Sequence, residues 1–471
     1  MVPMIFFLLL ISQSISITDL YVGYPNQSKN FKTIQEAINE ADLISPKNES
    51  QRVKIHISPG VYRQQLLIKT AYLSLINEEP EKEVKITWYY GLNYKYYSIG
   101  DNGLYNETRF KEKSNKTGNA WRNGATVHLN WRAKYFRAEN ITFENSFNRY
   151  ITEEELEDGV EPMDEQTIIR NKTMDLYSIE ATRGSCCFSA ESNYTEFFNC
   201  KFLSSDNTIF AQAIAQYYKN CFIEGQNDII FGGGNVVFDS CTISWKGYSS
   251  QNSTKGCISS SLDRERAYTG YLFYKCKVVG NKNLNVVGGD FGRAWGTNLS
   301  KITFINTTLE NEEMITKEGW GFLHCPPEEV EGFLEYGTQL KNGTLVDISQ
   351  RKGHIIPYID FDNFNLTSSY LYNWTPYFLN FEKIDEDEDK DKDKDSKDNE
   401  NEDNKNNDNK DNKDGNDGNK NIFIVFLIVG AILLIIIIII IIFYIKRKKN
   451  LNNEDIEKNF KRQEENKLLD N

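Results

Sequence analysis

The chain of 471 residues carries 67 Asp and Glu against 54 Lys and Arg, a net charge of −13, with 13% aromatic residues. Residues 385–420 hold 16 acidic and 8 Lys side chains, net −8, which leaves only −5 elsewhere (−13 minus −8). That nearly balanced remainder excludes the basic stripe of a nucleic-acid binder, and its aromatic content excludes a chain disordered throughout.

Residues 1–16, MVPMIFFLLLISQSIS, have the apolar core and small-residue end of a secretory signal peptide, without the usual positive start. Residues 17–384 then form the expected ectodomain. Within it, residues 31–41 (FKTIQEAINEA) place Phe31, Ile34, Ile38 and Ala41 on one helical face. Such a helix would cover the open end of a strand stack, whose exposed edges invite aggregation.

A short phrase recurs through the middle of the chain. It reads YFRAENITF at 135–143, FFNCKF at 197–202, YYKNCFI at 217–223, VFDSCTI at 237–243, LFYKCKV at 272–278 and ITFINTTL at 302–309. Each copy alternates as a strand does. Cys200, Cys221 and Cys241 follow at steps of 21 and 20, and Cys276 comes one period plus an insertion later. A period near 20 with one short strand per unit and no intervening helix predicts a solenoid, and specifically a parallel β-helix. The cysteines are then a ladder of small buried side chains, although an exported chain also permits disulfides. The adjacent Cys186 and Cys187 have no assigned place.

Serine-hydrolase elbows, paired zinc-protease histidines and C-x-x-C zinc motifs are all missing, so carboxylates are the candidates for chemistry. Asp228 sits in an apolar, glycine-bounded phrase, GQNDIIFG, where either a structural or a catalytic role is open. Asp206 and Asn207 lie one coil earlier in SSDNTIF, and neighbouring coils about 4.8 Å apart would bring the two phrases together. Arg293 and Trp295, in GRAW, pair a cation with an aromatic platform suited to a sugar ring.

Thirteen Asn-x-Ser/Thr acceptors run from Asn26 to Asn373, all before the acidic run, as in a glycosylated exported domain. Residues 385–420 have almost no apolar side chain and read as a solvated, disordered stalk. Residues 421–445 follow as an apolar segment with 24 consecutive uncharged residues from Ile422, about 36 Å as a helix, enough to span a bilayer. Lys446, Arg447, Lys448 and Lys449 then place the tail, 446–471, in the cytoplasm. The expected topology is a single-pass type I protein of the cell surface, anchored by its own C-terminal helix.

The segments FKTIQEAI, VKIHISPGVYRQQLLI, ENITFEN, NCFIEGQNDIIFGGGNVVFDSC, TGYLFYKCKV, FGRAW, EGW and EYG, in this order, resemble the pectin methylesterases. The resemblance runs from about residue 31 to residue 336. It implies an all-β, right-handed parallel β-helix that hydrolyses galacturonate methyl esters of pectin, releasing methanol, with no cofactor and no metal. By this resemblance Asp228 is the nucleophile, Arg293 orients it, and Trp295 with Phe231 meets the sugar. Two positions depart from the family: its acid/base Asp is Asn207, and one oxyanion Gln is Asp206. The other oxyanion Gln falls near Gly184 and Ser185, where this chain has none. An amide cannot deliver a proton, and a general acid is typically worth about 10²–10⁴ in rate. A protonated Asp206, raised by a neighbouring carboxylate, is one expected substitute. The sequence therefore supports two expectations: a membrane-tethered esterase with a rearranged acid, or a catalytically weak β-helix that binds galacturonan at the cell surface.

Overall fold

The computed structural model describes residues 17–381, apart from 93, 97, 113–123, 159–160, 163–169, 179–183, 250–254, 263–268, 282–285 and 287. The chain divides into two compact units, Met1–Asp385 and Glu386–Asn471, and every described residue lies in the first. The expected signal peptide, stalk, membrane span and tail fall outside the described residues. Among the described residues no helix is long and apolar enough to cross a membrane.

Three parallel sheets of twelve, nine and eight strands make up the fold, with one short antiparallel pair beside them. One coil runs through Thr195–Phe198 in the first sheet, Lys201–Leu203 in the second and Ile209–Ala211 in the third. The next coil repeats this with Ile214–Lys219, Phe222–Gly225 and Ile230–Gly232, each strand paired in parallel with its predecessor. This is a β-helix, as the repeat predicts. The unit, however, contains three strands rather than one.

The reason lies at the corner between the first and second sheets. Each recurring phrase spans two strands, broken at one residue with positive φ: Asn140, Asn199, Asn220, Ser240, Lys275 and Asn306 have φ between 51° and 58°. Asparagine tolerates this left-handed conformation better than most residues. The turn rotates the chain so that Phe197 before it and Phe202 after it both enter the core. Neighbouring corners also bond to one another: Asn199 Nδ2 donates to Asn140 Oδ1 at 2.7 Å, and Asn140 Nδ2 donates to the Asn77 carbonyl at 3.1 Å.

Inside, identical register positions stack. Phe197, Tyr218, Phe238, Phe273 and Phe304 form a column with successive ring centroids 4.5, 4.8, 4.8 and 4.2 Å apart. These spacings are those of neighbouring strands. Cys200, Cys221, Cys241 and Cys276 are buried free thiols in the same core, as the ladder reading requires. Cys187 joins that core, whereas Cys186 faces the other way, into a cluster with Ala125, Phe210 and Phe231. Strand alternation thus explains the adjacent pair.

The N-terminal helix spans Ile34–Ile44, three residues later at each end than the sequence pattern suggests. Thr33 and Glu36 form a capping box that fixes its start, and Phe31 belongs instead to the short strand Asn30–Phe31. Ile34, Ala37, Ile38 and Ala41 turn into the core, and the helix packs on Thr18–Val22, Val53–Ile57 and Leu66–Ile68. At the other side, the chain beyond Ile355 lies over the outer face of the first sheet. Leu371 and Phe378 cover Ala215, Tyr217, Val237, Leu272 and Ile305 there.

Candidate active site

The outer face of the third sheet carries one row of side chains, set by register: His128, Ser189, Phe210, Phe231, Ser260 and Arg293. Asn207 and Asp228 sit in the turns that lead into this sheet. Both have positive φ, 57° and 43°, which their short polar side chains accommodate. Asp206 bridges in parallel to Gly184 on one side and Asn227 on the other, so the next pair in register is Asn207 with Asp228.

Asp228 is held by a two-pronged ion pair. Arg293 Nε donates to Oδ1 at 2.8 Å and a terminal Arg293 nitrogen donates to Oδ2 at 2.7 Å. Burial works against the Arg293 cation, but its hydrogen bonds and charge contact with Asp228 outweigh burial and push its pKa up. Arg293 lies two strands beyond the Asp228 coil, about 9.6 Å along the stack. The small, buried Ser260 between Phe231 and Arg293 leaves room for the side chain to reach back.

A cleft of about 220 Å³ opens over this pair, lined by Asn207, Asp228, Phe231, Arg293, Trp295, Leu323 and His324. Trp295 is half-buried, and its ring lies 5.8 Å from Phe231, which in turn lies 5.0 Å from Phe210. Phe231 is only 1% exposed, so it supports the Trp295 platform from beneath. The fold therefore brings together five of the six sequence-derived site residues.

Asp206 is the exception, because it does not line the cleft. Its carboxylate instead favours the cationic forms of Arg293 and Lys246. Lys246 is buried, donates to the Asn148 carbonyl at 2.7 Å and lies over the Tyr177 ring. Burial, helped by Arg149, lowers its pKa to about 8.

Gly184 explains part of the altered motif. A β-carbon there would lie 2.7 Å from Asn207 Oδ1 and 3.1 Å from Leu92 Cδ2. The Asn207 amide thus occupies space that any side chain at 184 would need. Leu323 and His324 were not singled out from the sequence. They arrive on the segment after Trp320–Gly321, whose Gly321 pairs with Arg293. No local pattern marks them.

Among the described residues, no group of three or more His, Cys, Asp or Glu is arranged to hold a metal ion. The chemistry available is that of an oriented carboxylate beside an amide, an imidazole and an aromatic platform.

Residues 160–353 match the family model described as Pectinesterase. Pectinesterase QRT1 of Arabidopsis thaliana is 26% identical over 291 residues, covering 61% of this chain and 60% of that protein. Pectinesterase 31 of the same plant is 26% identical over 313 residues, covering 66% of this chain and 79% of that protein. In fold, the pectin methylesterase PemA from Erwinia chrysanthemi superposes with a TM-score of 0.55 at 17% identity, covering 77% of this chain and 98% of that one. The chain is thus similar to the pectinesterases in sequence over residues 160–353, and its three stacked sheets form the parallel β-helix seen in the solved pectin methylesterases.

Proposed function

We propose that the chain is a carboxylic ester hydrolase that removes methyl esters from galacturonate units of pectin. One observation carries this reading: Asp228, clamped by Arg293 at 2.8 and 2.7 Å, faces a cleft beside the Trp295 ring. The clamp orients both oxygens of Asp228, as a nucleophile toward an ester carbonyl requires. Trp295, backed by Phe231, stacks against a sugar ring of the substrate. The Asn207 amide hydrogen-bonds the reacting ester from the neighbouring coil. Asp206 acts at a distance, by its charge on Arg293 and Lys246.

The test is methanol release from highly methylated pectin by the full chain and by Asp228→Asn. We expect release by the parent and a loss of at least about 10³-fold in the variant, because a neutral amide cannot attack the ester. Equal rates would sink the reading. A second reading, a galacturonan-binding surface protein, is favoured by one specific feature, the amide at 207 where an acid is expected. Saturable binding of oligogalacturonides without methanol release would select it.

The same proposal extends to placement. Residues 1–16 are a signal peptide, 385–420 a stalk, 421–445 a membrane span and 446–471 a cytoplasmic tail, so that the β-helix stands outside the cell. A chain ending at residue 420 is then secreted into the medium, whereas the full chain stays in the membrane fraction. Glycans sit on exposed acceptors such as Asn26, Asn48, Asn298 and Asn342 rather than on Asn140, whose amide is engaged by its neighbours.

A further inference from the structure

The reaction proposed above needs a proton for the departing methoxy oxygen, and Asn207 cannot give one. Among the groups that line the cleft, Asp228 is ion-paired and Arg293 stays cationic, while Leu323, Phe231 and Trp295 have no proton to exchange near neutrality. Among the described residues that line the cleft, His324 is the remaining candidate. Its side chain is exposed and lines the same cleft as Asn207 and Asp228. An imidazole changes charge between about pH 5 and 8, as a general acid and base at neutral pH must.

Position supports the choice. The strand Trp320–Gly321 pairs with Gly289–Ala294, so Gly321 lies beside Arg293 and the chain running on from it passes the Trp295 side of the cleft. Cys325 Sγ meets the Gly296 carbonyl at 3.9 Å, which ties the segment immediately after His324 to the turn immediately after Trp295. Among the described residues, the charged groups that line the cleft with His324 are Asp228, in the turn before the third sheet, and Arg293, in that sheet; Cys325 follows in the chain, and Glu328 and Glu329 lie on the next turn in sequence.

We propose that His324 is the general acid and base of this site, in place of the carboxyl that Asn207 lacks; this rests on the esterase reading above. An Asp228 oxygen attacks the ester carbonyl carbon, and the bond from that carbon to the methoxy oxygen breaks. The methoxy oxygen takes the proton of the His324 imidazolium and leaves as methanol, so the galacturonyl group remains bonded to Asp228. The neutral imidazole then takes a proton from water, whose oxygen attacks the galacturonyl carbon. The bond to Asp228 breaks, the uronic acid departs and loses its proton to solvent, and both the imidazolium and the free carboxylate are restored.

Kinetics of methanol release by the full chain, His324→Gln and Asp228→Asn across pH test this. In the parent, kcat/KM falls toward alkaline pH, because the first step needs the imidazolium. In His324→Gln that limb is absent, kcat falls by about 10²-fold or more, KM stays within about twofold, and added imidazole restores part of the rate. A parent that releases methanol while His324→Gln keeps the same kcat and pH profile overturns the role of His324 alone. A parent silent at every pH overturns the esterase reading, and this role with it.

Discussion

At the scale of single residues, the site depends on the shape of Arg293 and not only on its charge. Arg293→Lys keeps the cation beside Asp228 but presents one nitrogen instead of a fork, so the carboxylate regains freedom to rotate. We expect kcat to fall by about 10–100-fold in methanol-release assays, with little change in thermal stability. Asn207→Asp introduces a carboxyl one strand spacing from Asp228, and the like charge raises its pKa toward that of a working acid. Combined with His324→Gln, it should recover at least about tenfold of the lost rate. Asn207, Asp228, Phe231, Arg293 and Trp295, the five that line the cleft, were reached from the sequence because each stands in a short phrase that resembles a family motif. His324 was not, since only the pairing of Gly321 with Arg293 carries it to the cleft. The offset position of Asp206 was equally hidden, because a one-residue difference in register decides which side chain faces the opening.

Among elements, the corner and the core column each have a measurable weight. Asn199→Ala forces a β-carbon-bearing residue without a helpful amide into φ 51°, whereas Asn199→Gly does not. Both lose the bond to Asn140, so chemical denaturation should find the alanine variant weaker by about 1 kcal/mol. Phe238→Ala opens a gap in the stacked rings and should cost about 3–5 kcal/mol in the same assay.

A third element, the short helix Glu153–Asp158, is sensitive to pH. Burial pushes the Glu155 carboxyl up to about 7, against the pull of Arg170. Unfolded, such a group titrates near 4.3. Its contribution to stability is therefore fully present below about 4.3 and is lost as pH rises through about 7. Hydrogen-exchange protection of this helix should decline over that interval, and Glu155→Gln should flatten the decline. The sequence showed the repeat but not its three-strand content. Alternation continues across the Asn corner as if the strand were unbroken, and the positive φ that breaks it leaves no trace in hydrophobicity. The helix start, by contrast, was present as Thr33 and Glu36 at capping-box spacing, and apolar periodicity alone drew it back to Phe31.

For the whole molecule, the balance of forces is unusual for a chain read as exported. All eight cysteines are free, and seven are buried. Burial pushes the Cys186 thiol up to about 12, far from the reactive thiolate. The melting temperature should therefore be the same with and without dithiothreitol; a drop on reduction would mean that cross-links hold the fold. Stability comes instead from stacked register positions and from the C-terminal segment over the first sheet, where Phe378 also donates its backbone N–H to Glu196 at 3.0 Å.

The site is built across successive coils, with Asn207, Asp228 and Arg293 each supplied by a different one. Their separations along the axis are multiples of the strand repeat and nothing else. The loops between coils can lengthen, as the step from Cys241 to Cys276 already illustrates, without altering the distance between reacting groups. Such a scaffold works as a ruler: insertions reshape what surrounds the cleft, and so what polymer fits it, while the graduations that place the chemistry stay fixed.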